Sequence, residues 1–303
     1  MTNHILVVGS VAYDSIITPF GKVDKALGGS AAYFSLASAL FAPTSVVAVV
    51  GNDFKNFGVF KKHRIDVSGI KKAKGKTFHW AGKYHFDLNT RDTLKTELGV
   101  FSGFKPVLDD KHRKSKYVFL GNIHPKLQLD VLRQIKKPKL VGLDTMNLWI
   151  ETARRDLLAV IKNIGVLVIN DSEARQLSKE HNLIKAARKI LNMMGSQKSD
   201  ILIIKQGEHG LLMFHQSSIF NLPGYPLEDV IDPTGAGDSF AGALFGYLAR
   251  TDDMSEANLK KACAVASTVA SFSVEAFGTK SLQSLTMSQI NKRLKKYRKL
   301  IGF

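Results

Sequence analysis

One pattern dominates the chain: short, unbroken apolar runs rich in Val, Ile and Leu, each ending near a glycine or polar residue and followed by a segment of helical period. Residues 4–8 end at Gly9 and residues 45–50 end at Gly51. Tyr117–Leu120, Leu140–Leu143 and the runs at 166–169 and 201–204 are of the same kind. An apolar run without alternation fits a strand covered on both faces, the usual state of a parallel strand. Between them lie segments with helical character, among them 31–41, opened by Gly28-Gly29-Ser30 and stopped near Pro43, and 183–194. This alternation predicts an α/β sandwich around a mainly parallel sheet, with ligands bound beyond the carboxyl ends of the strands.

Two stretches break the rhythm. From residue 76 to about 104 there is no helical period, and Phe78, Trp80, Tyr84 and Phe86 alternate with other residues, as in antiparallel strands. Residues 11–24 also lack a helical pattern. Together they predict a small β-strand lid over the active edge, inserted into one core spanning 1–303. A chain of 303 residues buries roughly 75% of its unfolded surface, enough for that core without staples.

Composition excludes several classes. With 45% hydrophobic and 23% charged residues the chain is neither disordered nor fibrous. Apolar runs such as 46–50 fall far short of the ~20 residues of a membrane span, and the first residues carry no secretion signal. One cysteine, Cys263, forbids an internal disulfide and fits a reducing cytoplasm. The unusual number is charge: 43 basic against 26 acidic residues, a net +17. The basic residues fall in scattered clusters without interleaved aromatics, which reads as a solvated surface and not as a specific nucleic-acid site. The basic tail carries Ile290, Leu294, Tyr297 and Ile301 at spacings of three and four, the pattern of a docked amphipathic helix.

The most informative segment is Asp232-Pro233-Thr234-Gly235-Ala236-Gly237-Asp238, which opens a long helical run in which Gly242 and Gly246 lie four apart. Glycines at a helix mouth let a ligand approach the backbone, where free N–H groups and the helix dipole favour an anion. Asp238 there is either a first-turn helix residue or a base for a substrate hydroxyl. Gly75-Lys76-Thr77 is not a Walker A loop, because Ile70 stands where that loop needs glycine, and no Gly-x-Gly-x-x-Gly follows a strand.

This segment resembles the Asp-Thr-x-Gly-Ala-Gly-Asp signature of the ribokinase-like, or PfkB-type, carbohydrate and nucleoside kinases, with Pro233-Thr234 a slight departure. Further motifs follow the family order over nearly the whole chain. Gly28-Gly29-Ser30-Ala31-Ala32 resembles its N-terminal Gly-Gly signature, and Val50-Gly51-Asn52-Asp53 with Gly58 its Val-Gly-x-Asp-x-x-Gly element. Asn170-Asp171-Ser172-Glu173 matches its Asn-x-x-Glu motif, and Lys205-Gln206-Gly207-Glu208-His209-Gly210 its turn before the nucleotide site. The resemblance implies a ribokinase-like three-layer α/β/α sandwich and transfer of the ATP γ-phosphate to an alcohol of a small sugar or sugar-like polyol. A nucleoside acceptor is the alternative; a non-catalytic phosphate-binding regulator or a basic nucleic-acid-binding protein on this fold is disfavoured.

The resemblance also implies roles. Asp238 would be the general base and the backbone of Gly235, Ala236 and Gly237 the anion hole. Asn170, Glu173, Lys205, Gly207 and Thr234 would lie by the nucleotide. Glu173 would hold Mg²⁺ through water, and Asp232 with Thr234 a monovalent cation such as K⁺. Asp14, Gly28, Gly29, Tyr33 and Asn52 would face the acceptor. Other readings stand beside these: Asn170 and Glu173 as a helix cap, Lys205 as a surface lysine, Asp14 as a turn residue. Tyr33 replaces the asparagine of many sugar kinases, and Asp144-Thr145-Met146-Asn147-Leu148-Trp149 lacks the arginine of keto-sugar-acid kinases. Trp80 and Tyr84 stack on a sugar or base, or fill a core. The partners implied are ATP and a small-molecule acceptor, with no specific nucleic acid and no membrane, and a homodimer through the lid edge.

Overall fold

The computed structural model describes residues 3–195 and 200–302. Thirteen strands occur in chain order among them: β1 (Ile5–Val8), β2 (Ala12–Thr18), β3 (Gly21–Gly28), β4 (Thr44–Val50), β5 (Asp66–Lys72), β6 (His79–Tyr84), β7 (Arg91–Glu97), β8 (Tyr117–Leu120), β9 (Leu140–Leu143), β10 (Val166–Asn170), β11 (Ile201–Lys205), β12 (Leu211–His215) and β13 (Ser218–Leu222). Nine form one sheet in the order β13-β12-β11-β10-β9-β8-β1-β4-β5. Pairing is parallel from β5 through β11 and antiparallel only at β11–β12 and β12–β13.

The six strands expected from their apolar runs are all present in this sheet. Their side chains alternate between two cores, because successive Cβ atoms of a strand point to opposite faces. Ile5, Val7, Val46, Ala48, Tyr117, Phe119, Val166, Val168, Ile201 and Ile203 join one core. Leu6, Val8, Val47, Val49, Val118, Leu120, Leu167, Ile169, Leu202 and Ile204 join the other. The first face is covered by helices Ser30–Ser38, Ala236–Thr251, Glu256–Ser273 and Met287–Ile301. The second is covered by helices including Arg154–Ile161, Asp171–Ser178 and Leu183–Met193. The result is the three-layer α/β/α sandwich, with helices on both faces of the sheet.

The remaining strands form a second sheet in the order β3-β2-β6-β7, the lid. Its outer pairs are antiparallel, whereas β2 and β6 run parallel. The lid is pinned where the chain enters it. Asp53 Oδ1 accepts from the Thr77 N–H at 2.8 Å and from Thr77 Oγ1 at 2.6 Å, and the Gly51 N–H donates to Thr77 Oγ1 at 3.0 Å. The basic tail is the docked helix Met287–Ile301: Ile290, Leu294 and Tyr297 are buried while Lys295, Lys296, Arg298 and Lys299 face solvent.

Helices Ser30–Ser38 and Ala236–Thr251 touch backbone to backbone. A Cβ on Gly242 would lie 2.2 Å from the Phe34 carbonyl oxygen, and one on Gly246 2.8 Å from that of Ser38. Phe34, Phe119 and Phe245 lock the same junction, Phe34 stacked on Phe119 at 4.5 Å and Phe119 edge-on to Phe245 at 5.0 Å. Gly242→Ala therefore forces the two helices apart, an overpacking cost of about 1–3 kcal/mol that exceeds alanine's helix preference. We expect a lower denaturant midpoint in equilibrium unfolding; an unchanged midpoint would show that the junction tolerates separation.

Candidate active site

The parallel strands end along one edge, and the residues just past those ends meet beneath the lid. Asn170 and Lys205 are paired neighbours at the ends of β10 and β11, Asp144 is the first residue after β9, and Gly9-Ser10 follow β1. The segment 232–238 enters the same space. Asp232 is fully buried, its Oδ1 accepting from the Thr234 N–H at 2.9 Å and its Oδ2 from the Gly278 N–H at 2.8 Å. Those bonds shape the turn that follows, in which the Ala236 N–H donates to the Pro233 carbonyl at 3.2 Å. Gly235, at φ 75° and ψ 2°, has the third-position geometry of a type II turn, which favours glycine. A Cβ there would also strike the Tyr33 ring at 2.3 Å.

The turn delivers Asp238 into the first turn of helix Ala236–Thr251. Burial pushes its carboxyl up to about 8, reinforced by the charges of Asp144 and Asp14 and opposed by those of Lys205 and Arg91. Lys205 Nζ lies 2.5 Å from the position a Gly237 Cβ would take, so the ammonium rests over the mouth of the helix. Its charge acts on Asp144, Glu173 and Asp238 alike. Lys205 is half-buried over that helix mouth and does not project as a surface lysine.

Asn170 and Glu173 form a reciprocal capping box on helix Asp171–Ser178: Asn170 Oδ1 accepts from the Glu173 N–H at 2.7 Å, and Glu173 Oε2 from the Asn170 N–H at 2.8 Å. The cap is therefore real, and it leaves Glu173 Oε1 and the Asn170 amide nitrogen outside the box. Burial and the nearby Asp144 push Glu173 up to about 7. Among the described residues no group of three or more His, Cys, Asp and Glu side chains forms a ready metal cage. One buried carboxylate with a second nearby fits Mg²⁺, which keeps water and takes substrate phosphates as ligands. Asp232 fits a cation less well, since backbone N–H groups already occupy both of its oxygens.

On the other side, Asp14 lies over Gly28, where a Cβ would fall 1.9 Å from Asp14 Oδ2, and it accepts from the Gly29 N–H. Gly29 has φ 91°, and a Cβ on it would lie 2.6 Å from the Ser10 carbonyl oxygen. Tyr33 differs from its expected role as a ring facing the acceptor. It is 1% exposed and forms the floor under Gly235, with its hydroxyl buried and unpartnered near Asp14, Asp232, Tyr84 and Asp238. Asn52 is exposed on the loop after β4 and donates its N–H to the Gly75 carbonyl. No described contact joins its side chain to Asp14 or Asp238.

Gly207, at φ 58°, opens the turn after β11, where a Cβ would lie 3.0 Å from Asn89 Oδ1 of the lid. Thr234 Oγ1 donates to the hydroxyl of Tyr84, also a lid residue, at 3.2 Å. Sequence reasoning did not place Arg91 in this site. It offered Tyr84 as a stacking ring or a core residue, and it met Asp144 only in a stretch that lacks the arginine of keto-sugar-acid kinases.

This geometry has relatives. A model of the pfkB family of carbohydrate kinases matches residues 2–285. The cytidine kinase of Thermococcus kodakarensis is 31% identical over 251 residues, covering 80% of this chain and 88% of that protein. The nucleoside kinase of Methanocaldococcus jannaschii is 26% identical over 279 residues, covering 90% and 87%. The crystal structure of that nucleoside kinase, described as an archaeal member of the ribokinase family, superposes with a TM-score of 0.78 at 23% identity, covering 97% of this chain and 98% of that one. The chain belongs to the pfkB family, and its fold is ribokinase-like. It is a kinase of the sugar and nucleoside class.

The raised pKa of Asp14 has a consequence for stability. Burial lifts the carboxyl to about 7, with the Gly29 hydrogen bond opposing and the charge of Asp232 adding to the rise. The folded chain then holds this proton more tightly than the unfolded one, for which about 3.9 applies. Its contribution is complete below about pH 4 and is lost as pH rises through about 7. Asp14→Asn keeps the acceptor for Gly29 and removes the charge. In thermal unfolding it should match wild type near pH 4 and melt higher at pH 8; equal melting at both would show that Asp14 stays ionised without cost.

Proposed function

We propose that this chain is an ATP-dependent nucleoside kinase, with Asp238 as general base. One observation carries the reading: Asp238 stands in the first turn of helix Ala236–Thr251, close enough to Asp144, Lys205, Asp14 and Arg91 for each of their charges to act on it. This supports reading Asp238 as a proton acceptor, with the acceptor on the Asp14 side and the ATP phosphates on the Lys205 side. A nucleoside is preferred to a free sugar or polyol because relatives named as cytidine and nucleoside kinases align over most of the chain.

In the proposed reaction Asp14 orients the acceptor from beside the Gly28-Gly29 backbone. Asp238, ionised, takes the proton of the acceptor hydroxyl as that oxygen bonds to the γ-phosphorus of ATP. The bond from γ-phosphorus to the β,γ-bridging oxygen breaks, and ADP leaves with that electron pair. Lys205 and the N–H groups at the helix mouth, led by those of Gly235 and Gly237, stabilise the developing charge. The Ala236 N–H joins them on release from Pro233. Glu173 would hold Mg²⁺ through water, and the ion when bound neutralises phosphate charge. Asn170, Gly207 and Thr234 frame the nucleotide side. A role for Asp232 as a K⁺ ligand has no support beyond the resemblance.

Exposed Ile17, Phe20 and Leu94 and the open edges of β3 and β7 make the lid the proposed face for a second copy of the chain. No described helix is long and apolar enough to cross a membrane. The need for ATP and the single buried thiol of Cys263 fit a cytoplasmic site of action.

Asp238→Asn should lower turnover by about 10²–10⁴ while leaving ATP binding intact. Turnover of Asp238→Asn at the wild-type rate, with a nucleoside that wild type phosphorylates, would remove Asp238 as base. Because the base acts ionised, wild-type kcat/KM for the acceptor should rise with pH to a plateau above about 8. The groups facing Asp238 are Asp144, Asp14, Lys205 and Arg91. A profile that falls over this range would assign the work to a group acting in its protonated form.

A further inference from the structure

The lid reaches the nucleotide side through a single hairpin. β6 and β7 pair out to Tyr84 opposite Arg91, and the loop between them is held by its own bonds. Asp87 Oδ1 accepts from the N–H groups of Asn89 at 3.2 Å and Thr90 at 3.0 Å, and Asp87 Oδ2 from Thr90 Oγ1 at 2.7 Å. At its tip the Asn89 amide donates to both oxygens of Glu208, at 3.3 and 3.0 Å. Glu208 lies in the turn that begins at Gly207, two residues after Lys205. The hairpin is thereby clasped to the strand end that carries the phosphate-side lysine.

Arg91 follows directly behind this clasp. Directly opposed residues of an antiparallel pair share a face, so Arg91 lies on the face of Tyr84, whose hydroxyl accepts from Thr234 Oγ1. Its guanidinium rests 5.9 Å from the centre of the Trp80 ring, hydrogen-bonds Tyr84 and acts on the carboxyls of Glu173 and Asp238. Yet no carboxylate lies within ion-pair distance of it among the described residues. An exposed arginine held by an indole ring and the Tyr84 hydroxyl, paired with no carboxylate yet felt by a candidate base and a candidate metal-side carboxylate, is set to receive an anion.

We propose that Arg91 is a catalytic residue that bonds the transferring phosphoryl group from the lid side, and that Asn89, through Glu208, is the positioning residue that holds it there. The proposal rests on the kinase reading above. Arg91 gives up no proton: the hydroxyl proton still passes to Asp238 and the leaving electron pair to ADP. Arginine supplies two parallel donors to phosphate oxygens and adds charge where the equatorial oxygens gather it.

The test compares Mg²⁺ with a non-hydrolysable ATP analogue and Mg²⁺ with ADP by titration calorimetry on the full chain, so that the γ-phosphate is the only difference and no acceptor is needed. Arg91→Ala should weaken the analogue at least about tenfold and leave ADP unchanged, and Arg91→Lys should recover part of the loss. An unchanged ratio, or equal weakening of both nucleotides, overturns the role. Asn89→Ala should lower the same ratio in wild type and have no further effect in the Arg91→Ala background; additive losses overturn the clasp. Phosphotransfer by the wild-type chain is measured separately across nucleosides and sugars. Its absence would sink the kinase reading while the nucleotide ratio still reports on Arg91. A wild-type chain that binds neither nucleotide would overturn both.

Discussion

The site depends on how closely two helices approach. Gly242 and Gly246 bring helix Ala236–Thr251 against the backbone of Ser30–Ser38, and Gly235, about two turns before Gly242, lies flat on Tyr33. The base of one helix and the Gly28-Gly29 pocket that opens the other are thus parts of one rigid body. The separation between Asp238 and Asp14 follows from glycine contacts in the core and not from loop conformation. Interiors packed this tightly have discrete arrangements and little intermediate give, which suits a reaction in which positioning is most of the catalysis.

Within that frame charge is set against burial. Asp14, Asp144, Glu173, Asp232 and Asp238 converge in one pocket, and burial raises the pKa of each. Lys205 faces three of them from one end and Arg91 two from the other. The pocket sits in a chain of net charge +17, but most of that charge lies on the outer surface, including the solvent face of the C-terminal helix. The positive charge that counts is a pair of side chains, one on the core sheet and one on the lid.

The frame was legible in the sequence because parallel strands covered on both faces are written as continuous apolar runs. β12 and β13 were not legible: β12 is a five-residue run closed by a buried histidine, His215, and in β13 the apolar Ile219 faces solvent. The glycine-rich turn was legible because its backbone approaches need glycine at fixed positions. The capping-box geometry of Asn170 and Glu173 was also written in their spacing. Lys205 was ambiguous, because the residues that decide its role, Gly237 and Asp144, are distant in the chain. Tyr33 misled: a ring at a motif position looks like a binding surface, but the turn above it had already claimed its face. Asn89 and Arg91 were hidden entirely, being ordinary polar residues whose meaning comes from where a hairpin ends.

The lid's attachments at its two ends differ in strength. Where the chain enters it, three hydrogen bonds among Gly51, Asp53 and Thr77 fix the cover to the core. Farther out one hydroxyl contact joins Tyr84 to Thr234, and at the hairpin tip a side-chain amide grips one carboxylate. A cover anchored in this way behaves as a cantilever: it bends most at the tip and least at the root. Its loosest point overlies the Gly207 turn, so the phosphate side of the cleft is the first to meet water when the cover lifts.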